Sequence, residues 1–554
     1  MNPIEAQPHP TGTPATAGSF RRFWRDPRLH QLIRWCLPAL LIGLALRVAV
    51  TADMPYGYTQ YDSADFLTTP RMFLTHHGLH INGKRSFLTP VLFSIPFFLP
   101  FPALLVIPAA QHVMGLIGIL VTGAIVRLWF KRWKWFIIPA TLLVGVNPMI
   151  IWYEHTLLGE AQYEFCALVA ALAGTVWFRN PSRRNFWLFM LSLILVTGTR
   201  LEGKLFFCAA LALIPVVFWG RWRQMLRHGA IALVLTVLGF IASGARDGTP
   251  LLLATLIHLA PDHFQSVPEL EPYLLPLRDE LRSRFPEYPG DMVKTSKRID
   301  EAVDNYLDSN PELIPNKEAK KSREESLRKA LCVEILKNQP REVLALPLLK
   351  SRLAIDAWSA YCWNDHYLHK RQWEALTLTE WMAPVLSKGL TGKLQTDEEL
   401  KGWVAAHFDA KRIQWFTDYQ EFWNDAILYF RTPDRPTSPQ RWVHDFFGGV
   451  PGGLNTVPGV PYFYPLVLLG MAAAISHRRG CAWFHLMWIG CMLFIWYAAM
   501  MVGVTNARFR FAYEPFCFLY FLLLFDVLLD TRTVRTTLSR ATEVTSCVLK
   551  AWIR

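Results

Sequence analysis

Long apolar runs separated by short charged segments occupy both ends of the chain, and a more polar stretch lies between them. A helix that crosses a membrane needs about 20 mainly apolar residues. Ten runs approach that length, at 33–50, 103–127, 134–153, 156–178, 185–200, 203–220, 228–244, 456–476, 481–504 and 511–530. The pattern therefore predicts an all-α polytopic membrane protein with about ten transmembrane helices.

Three apolar stretches depart from a simple span. The spans 185–200 and 203–220 are short and share the turn "TRLEGK", which predicts a hairpin rather than one long helix. The segment "LTPVLFSIPFFLP" (88–100) is too short to cross. Apolar runs of about 10 to 14 residues are more often interfacial or re-entrant. We therefore expect 88–100 to form a helix that lies on the outer face.

The distribution of charge sets the orientation. Hydrophobic residues make up 52% of the chain and charged residues 18%, against about 25% charged in soluble domains. Residues 244–455 hold 31 of the 44 acidic residues. The excess of Lys and Arg that gives the net charge of +13 therefore lies outside this range, beside the apolar runs. Basic clusters at every second junction are typical of cytoplasmic loops and do not indicate nucleic-acid binding. We expect an inner (plasma) membrane protein with both termini inside.

The same pattern divides the chain into segments. They are a disordered cytoplasmic N-terminus (1–32), a transmembrane module (33–243) with a first outer loop (51–102), an extracytoplasmic soluble insertion (244–455), C-terminal transmembrane helices (456–530) and a basic cytoplasmic tail (531–554). Within the insertion, 300–340 predicts exposed helices and 343–363 predicts an amphipathic helix that packs on another surface. The insertion is therefore expected to be mainly α-helical.

With this topology, ionisable residues collect at the outer ends of the spans. They are Asp62, Asp65, Arg71, Lys84 and Arg85 in the first outer loop, Glu154, His155 and Glu160 at the second turn, Arg200, Glu202 and Lys204 at the third, Arg246 and Asp247 at the fourth, and Arg508 and Arg510 at the last. Charges at membrane depth are costly and tend to mark functional sites. Carboxylates act as bases and guanidinium groups hold phosphate. The turns therefore predict one outer cavity suited to group transfer from an anionic lipid carrier.

Simpler interpretations stand beside this one. Many outer-loop charges are only solvated, and Arg200 could pair with Glu160 or Glu202 as a structural bridge. Glu160 lies within an apolar run, where an idle carboxylate costs about 2.5 kcal/mol or more at full depth. The stretch "HHGLH" (76–80) matches no tight zinc spacing, so no metal or other cofactor is predicted to be required. Arg47, near the end of the first span, is expected to snorkel.

Several motifs, in their order and spacing, resemble a known family. After one apolar span come "YDSADF", "KRSFLTPVLFSIP", "NPMIIWYEHTLLGEAQYEF", "TGTRLEGKLFF" and "ARFRFAYEPFCFL". This combination resembles the GT-C superfamily of polyprenyl-phosphate-sugar-dependent glycosyltransferases. Within that superfamily, the motifs are similar to those of the bacterial relatives of protein O-mannosyltransferases and of the lipid A aminoarabinose transferase. The resemblance covers most of 33–250 and 456–530. The insertion has no counterpart in the family pattern.

The resemblance implies roles for individual residues. It implies an acidic residue beside the acceptor (Asp62), an Arg-plus-Pro segment after it (Arg85, Pro90), an acidic residue that opens a later span (Glu160), an arginine at the outer end of the next span (Arg200) and a late arginine–proline pattern (Arg508, Arg510, Pro515). Many members have Asp-Glu where this chain has Asp62-Ser63, so Asp65 is the candidate for the missing negative charge. In the late motif, Ala512 replaces the first proline. The catalytic candidates are therefore Asp62, Asp65 and Glu160, the phosphate-binding candidates are Arg85, Arg200, Lys204, Arg508 and Arg510, and the further candidates are Glu154 and His155.

The chemistry of such a transfer agrees with these residue types. A sugar on a phosphate carrier already has a good leaving group, whose departure clustered guanidinium groups stabilise. A carboxylate that removes the acceptor proton completes a single inverting displacement. The expected reaction moves a sugar from a polyprenyl-phosphate carrier to an extracytoplasmic lipid, glycan or protein acceptor. Asp62 is the expected base, and Arg85 helps to hold the phosphate.

Three alternatives stay open. A transporter or flippase of an anionic lipid or sugar would use the same arginines, but transporters commonly show internal repeats and broken helices, and neither is visible in the sequence. A scaffolding membrane protein would explain the insertion but not the convergence of charges. A ligase that uses a diphosphate-linked glycan is also compatible, and such enzymes can require a divalent metal.

Overall fold

The computed structural model describes residues 27–53, 57, 63–67, 69, 86–98, 103–242, 249–284, 292–313, 316–356, 463–477, 481–502 and 513–530. The elements of regular structure in these residues are helices. They are α1 (Pro27–Asp53), α2 (Ser63–Phe66), α3 (Leu88–Ser94), α4 (Ala103–Trp129), α5 (Trp133–Gly145), α6 (Pro148–His155), α7 (Glu160–Arg179), α8 (Arg183–Thr199), α9 (Leu205–Val217), α10 (Trp222–Ala242), α11 (Thr249–Leu256), α12 (Glu271–Arg284), α13 (Met292–Asp308), α14 (Lys317–Asn338), α15 (Pro340–Asp356), α16 (Phe463–His477), α17 (Ala482–Val502) and α18 (Glu514–Leu528). The helical class predicted from the apolar pattern is confirmed for this part of the chain.

The described residues establish fewer membrane spans than the sequence predicts. Four helices are long and apolar enough to cross, and a fifth if α5 and α6 form one bent span; the four are Pro27–Ala52, Leu105–Trp129, Glu160–Arg179 and Ala482–Met501. Helices also lie at the other predicted positions, but α8, α9 and α18 have 17, 13 and 15 residues. The described residues therefore define a helical membrane protein with four or five candidate spans, and the ten predicted are not established.

The predicted span 134–153 is two helices that meet at 45°. The side-chain oxygen of Asn147 caps α6 and accepts hydrogen bonds from the backbone N–H groups of Met149 and Ile150, at 2.9 and 3.2 Å. Pro148 occupies the first position of α6. A backbone N–H at this position has no partner within the helix, so proline is tolerated there. The "NP" pair thus ends one helix and starts the next, so the predicted span is broken at this point.

The two short stretches agree better with the sequence. The turn "TRLEGK" does separate α8 from α9, and a single 3₁₀ turn, Leu201–Lys204, connects them. The segment 88–100 contains α3 and a 3₁₀ turn, Ile95–Phe98, so its regular part is too short to cross. Thr89, Pro90 and Phe93 are buried, which docks α3 on the bundle.

The main core brings the two ends of the chain together. It lies among α1, α4 to α9 and α16 to α18, and its largest buried side chains include Trp152, Trp177 and Trp488. The rings of Phe484 and Trp488 on α17 are stacked, with 5.7 Å between their centroids, and such pairs add about 0.5–1.5 kcal/mol beyond the burial of their area. α17 packs on α7 and α9, and α18 packs on α5. Helices before and after the insertion therefore form one bundle.

A polar junction ties α18 to the loop between α4 and α5. Asp526 is fully buried and accepts hydrogen bonds from the backbone N–H groups of Lys131 and Arg132, at 2.9 and 3.1 Å. The Arg132 guanidinium donates to the carbonyl oxygens of Asp526 and Leu529, and Lys131 pairs with Asp530. α5 begins without a capping side chain of its own, so Asp526 supplies the acceptor from the far end of the chain.

The insertion has a core of its own in its described part. α11 to α15 bury an apolar cluster that includes Leu253, Ile299 and Leu331. The interval 300–340, predicted as exposed helices, contains most of α13 and α14, whose apolar faces are buried in this cluster. This part therefore packs as a small helical unit.

The predicted amphipathic helix at 343–363 corresponds to α15. It packs against α17 of the bundle, where the Tyr497 hydroxyl donates to the carbonyl oxygen of Leu344 at 3.2 Å. Residues 357–455 of the insertion lie outside the described chain. α15 thus connects the core of the insertion to the bundle.

A carboxylate anchors the loop between α11 and α12. Glu334 of α14 accepts hydrogen bonds from the backbone N–H groups of Gln265 and Ser266, at 2.6 and 2.9 Å, and from the Ser266 hydroxyl. Burial by itself raises the pKa of Glu334, but these donors outweigh it and hold the pKa below its ordinary value. The ionised form is therefore the one that stabilises the loop.

We expect Glu334→Gln to lower the free energy of unfolding by about 1–3 kcal/mol near neutral pH, because hydrogen bonds to a charged acceptor are the stronger ones. A carboxylate whose pKa is lowered by folding contributes its stability above its unfolded pKa, about 4.3, and loses it as the pH falls through the folded pKa. The difference between parent and variant should shrink accordingly on acidification. Thermal unfolding at a series of pH values measures it.

Glu325→Gln on the same helix is the matched control. Glu325 lies 3.9 Å from Lys329 in a surface pair one turn apart, and such pairs contribute about 0.2–0.5 kcal/mol. Equal effects of the two substitutions at every pH would show that Glu334 does not hold the loop.

Candidate functional site

A charged pair is buried where the end of α1 meets the end of α6. The Arg47 guanidinium holds the Glu154 carboxylate through two hydrogen bonds, Nε to Oε2 and Nη2 to Oε1, each 2.7 Å. Nη1 of Arg47 donates to the carbonyl oxygens of Gly43 and Gly145, at 3.0 and 2.9 Å. Both charged side chains are 2% exposed. Arg47 is thus the partner in a buried ion pair, and the expectation that it snorkels is wrong.

Two histidines extend this pair. Nδ1 of His112, on α4, lies 2.9 Å from Oε2 of Glu154, and Nε2 of His112 lies 3.0 Å from Nδ1 of His155. The ring planes are 29° apart, with 5.2 Å between centroids, and both side chains are buried. Arg47, His112, Glu154 and His155 are named the Arg47 cluster below.

A glycine makes room for the carboxylate of this cluster. A Cβ at Gly115, three residues after His112 on α4, would lie 1.8 Å from Oε1 of Glu154. Any side chain at this position would collide with the carboxylate, so the close approach of α4 and α6 requires glycine. The same approach sets the distance between His112 and Glu154.

A second cluster joins the start of α7 to the end of α8. Nη1 of Arg200 donates to Oε1 of Glu160 at 2.6 Å, and Nε and Nη2 of Arg200 donate to the two carboxylate oxygens of Glu202 at 3.3 and 2.9 Å. The guanidinium carbon lies 5.8 Å from the ring centre of Tyr163, within the range of a cation–π contact. Glu160 is 1% exposed, whereas Glu202 is 32% exposed. Glu160, Tyr163, Arg200 and Glu202 are named the Arg200 cluster.

The two clusters lie at the same end of the bundle. The four residues of 156–159 separate them along the chain. Thr89 of α3 donates to the side-chain oxygen of Gln162 at 3.1 Å, which places this part of the first outer loop beside the Arg200 cluster. The hydroxyl groups of Tyr163 and Tyr513 are 3.4 Å apart, so the start of α18 also reaches this end. Helices from both halves of the bundle therefore contribute to one site.

The structure brings part of the predicted site together. Glu154 and His155 lie in the Arg47 cluster, Glu160 and Arg200 lie in the Arg200 cluster, and Lys204 is half-buried in the 3₁₀ turn that follows. The sequence allowed two roles for Arg200, a structural ion pair with Glu160 or Glu202 and binding of the donor phosphate. The structure shows ion pairs with both carboxylates. The hydrogen bonds to these two carboxylates use three of the five N–H donors of the guanidinium group.

Other predicted residues stay as predictions. The backbone of Asp65 lies in α2, but its side chain is outside what the structure describes. The predicted residues outside the described ranges are Asp62, Arg71, Lys84, Arg85, Arg246, Asp247, Arg508, Arg510 and the histidines of "HHGLH". Among the described residues, no group of three or more His, Cys, Asp or Glu side chains is arranged to hold a metal ion.

Sequence reasoning missed several buried ionisable residues, and three of them lie on the helices of the two clusters. Arg47 was assigned to the lipid interface, and His112 and Glu164 were given no role. Glu164 lies one turn after Glu160 and is 5% exposed. The signal that could have found all three is an ionisable residue inside an apolar run, because such groups almost always face the protein interior.

The fold and these clusters define a class, a helical membrane protein with buried charges at one end of its bundle. No protein-family model matches the chain, and no curated protein matches it. Among solved structures, it is similar to the archaeal oligosaccharyltransferase AglB from Archaeoglobus fulgidus in complex with an inhibitory peptide and a dolichol-phosphate, with a TM-score of 0.40 and 12% identity. The match covers 95% of this chain and 52% of that chain, so this chain spans about half the length of that protein. A likeness this low carries no argument about fold or activity.

Proposed function

We propose that this chain is a membrane glycosyltransferase of the GT-C type, which moves a sugar from a polyprenyl-phosphate carrier to a lipid, glycan or protein acceptor at the outer face of the plasma membrane. The observation that carries the proposal is the gathering of the Arg47 and Arg200 clusters at one end of an apolar bundle. Removing charges from water costs several kcal/mol per ion even in real proteins. Such groups inside a membrane protein are a functional-site hypothesis by default.

Anchoring of the first outer loop supports Asp62 as the base. Asp62 directly precedes α2, whose Phe66 packs edge-on against Phe93 of α3, with 6.3 Å between ring centroids. α3 in turn contacts Gln162, next to Tyr163 of the Arg200 cluster, through Thr89. The chain after Asp62 is therefore held beside that cluster. Asp62 removes the acceptor proton, and Asp65 is the neighbouring carboxylate that tunes its charge.

Phosphate binding at Arg200 requires an exchange of partners. Glu160 is nearly inaccessible, whereas Glu202 is one third exposed, so an incoming phosphate replaces Glu202 and leaves the Glu160 pair intact. A phosphate oxygen pair matches the planar guanidinium fork as a carboxylate does. Arg85, Lys204, Arg508 and Arg510 complete the grip on the leaving group, and attack from the opposite side of the sugar inverts the anomeric centre.

One observation favours a second function. The 45° break between α5 and α6 is the kind of discontinuous helix that transporters place at their binding sites, and the sequence had suggested no such break. A transporter or flippase of an anionic lipid or sugar is therefore the alternative. It predicts movement of the lipid across the bilayer with every covalent bond intact.

Transfer in proteoliposomes separates the two. The protein is reconstituted with polyprenyl-phosphate sugars that carry a radiolabel on the sugar, and with lipid, glycan and peptide acceptors. We expect label in an acceptor, with inverted anomeric configuration by NMR, and no loss on chelation with EDTA because the proposed step uses no metal. Liposomes without protein, and water-soluble nucleotide sugars as donors, are the negative controls. Translocation of an intact donor with no labelled product would establish the transporter instead.

A further inference from the structure

Helix α15 is apolar on two opposite sides between Val343 and Leu348. Val343 and Leu346 are 1% and 6% exposed and belong to the core of the insertion. Leu344 and Leu348 lie one turn apart on the other side, where they are 57% and 68% exposed. A helix that lies between a core and water carries polar residues on its outer side. The outer side of α15 therefore departs from the pattern of a helix that faces water.

This departure is local to the junction of α14 and α15. Among the described residues of the insertion, the large apolar side chains that are exposed are Val333, Leu336, Leu344 and Leu348. Helix α13 of the same unit shows the ordinary pattern, because its exposed side chains among those described are all polar: Lys297, Arg298, Glu301, Asn305 and Asp308. The apolar surface is thus one patch on a unit that is otherwise polar outside.

The contact between α15 and α17 sets the depth of this patch. The Tyr497 hydroxyl donates to the carbonyl oxygen of Leu344 at 3.2 Å. Tyr497 lies shortly before Met501, which ends the 20-residue candidate span Ala482–Met501 and packs on the core of the insertion. Such a span is about 30 Å long, the thickness of the hydrocarbon core of a bilayer. Leu344 is therefore level with a point about 6 Å inside the end of the span.

The surface of α17 at this level faces lipid. Phe494 lies one turn before Tyr497 on the same side of α17 and is 58% exposed. The Cys491 thiol donates to the carbonyl oxygen of Leu205 at 3.4 Å, and Leu205 directly follows the 3₁₀ turn next to Arg200. This half of α17 thus lies at the end of the bundle that holds the Arg200 cluster. The outer side of α15 continues the lipid-facing surface at that end.

We propose that the outer side of α15 binds the lipid bilayer, with Leu344, Ala345 and Leu348 among the acyl chains of the adjacent leaflet. Amphipathic helices in the membrane interface bury their apolar side chains about 5–10 Å deep, which agrees with the level of Leu344. Arg341 is exposed one turn before Ala345, and an arginine at this place covers apolar surface with its methylene groups while its charge reaches the headgroup phosphates. The membrane thereby holds the insertion, whichever reaction the bundle performs.

Photochemical labelling by lipid tests this contact. The full chain is reconstituted in vesicles that contain a phospholipid with a diazirine in its acyl chain. Light releases N₂, and the resulting carbene inserts into C–H bonds of neighbouring side chains. We expect mass spectrometry to find adducts between Arg341 and Leu348 and at Phe494, the positive control, and none at Glu301 or Asn305 of α13. Adducts at Phe494 without any on α15 overturn the proposal, because protein or water then covers that side.

The double variant Leu344→Gln/Leu348→Gln tests the contact by a second route. Both leucines are exposed outside the protein, so the variant leaves the core of the insertion intact. We expect amide hydrogen exchange of α15 in vesicles to become faster by about ten-fold or more, because the leucines no longer hold the helix in the lipid. Glu301→Gln/Asn305→Gln has the same spacing on α13 and should leave exchange of that helix at the parental rate. Parental exchange of α15 in the leucine variant overturns the proposal, since leucines that face water contribute little.

Discussion

Arg47→Leu should lower the free energy of unfolding by about 3–5 kcal/mol, the typical cost of leaving a buried charge without its partner. Glu154 is 2% exposed and would keep the hydrogen bond from His112 after losing both bonds from Arg47. Folded proteins are stable by only about 5–15 kcal/mol, so this is a large share of the total. We expect a strong fall in the melting temperature and in the yield of monodisperse protein after extraction into detergent.

Arg34→Leu is the matched control for this loss. Arg34 lies on the same helix, is exposed, and makes no ion pair with the described residues. The double variant Arg47→Leu/Glu154→Gln removes the buried charge as well as its partner, so it should recover part of the stability. Equal melting temperatures for Arg47→Leu and Arg34→Leu would show that the pair is not buried in the membrane-embedded protein.

Asp62→Asn should reduce sugar transfer by about a hundred-fold or more, the usual contribution of a positioned base. Asparagine keeps the shape of the side chain but cannot take up the acceptor proton. Binding of the lipid-linked donor should therefore be unchanged, because it depends on the arginines. Single-turnover transfer and equilibrium binding of a labelled donor measure the two quantities separately.

Asp65→Asn is the comparison for this prediction. The loss should be smaller than at Asp62 if Asp65 only tunes the charge of its neighbour, and larger if Asp65 is the base. Parental rates in both variants would remove both carboxylates from the mechanism. Glu160 would then be the next candidate.

Much of the fold was predictable because helix position follows the apolar pattern directly. The runs 103–127 and 481–504 correspond to α4 and α17 within a few residues. The break in 134–153 was missed although "NP" was visible, because hydropathy averages over a capping residue. The count of ten is not established, since apolar character alone does not decide whether a 13-residue helix such as α9 crosses.

The site was less predictable, because it depends on contacts between distant parts of the chain. Glu160 and Arg200 flank neighbouring turns, so their pairing could be stated as an option from the sequence. Arg47 and Glu154 are 107 positions apart, and their pairing depends on the packing of α1, α4 and α6. Gly115 is an ordinary glycine in an apolar helix until the carboxylate that it accommodates is known.

The contact of Asp526 with the start of α5 has a consequence for how the chain is made. Asp526 lies 395 positions after Lys131 and 394 positions after Arg132, the two residues whose backbone N–H groups donate to it. At a synthesis rate of about 5–20 residues per second, the ribosome needs about 20–80 s to cover that distance. During this time the backbone N–H groups at the start of α5 lack the Asp526 acceptor, because α18 has not yet been synthesised. A chain that stops before Asp526 therefore leaves the backbone N–H groups of Lys131 and Arg132 without this acceptor.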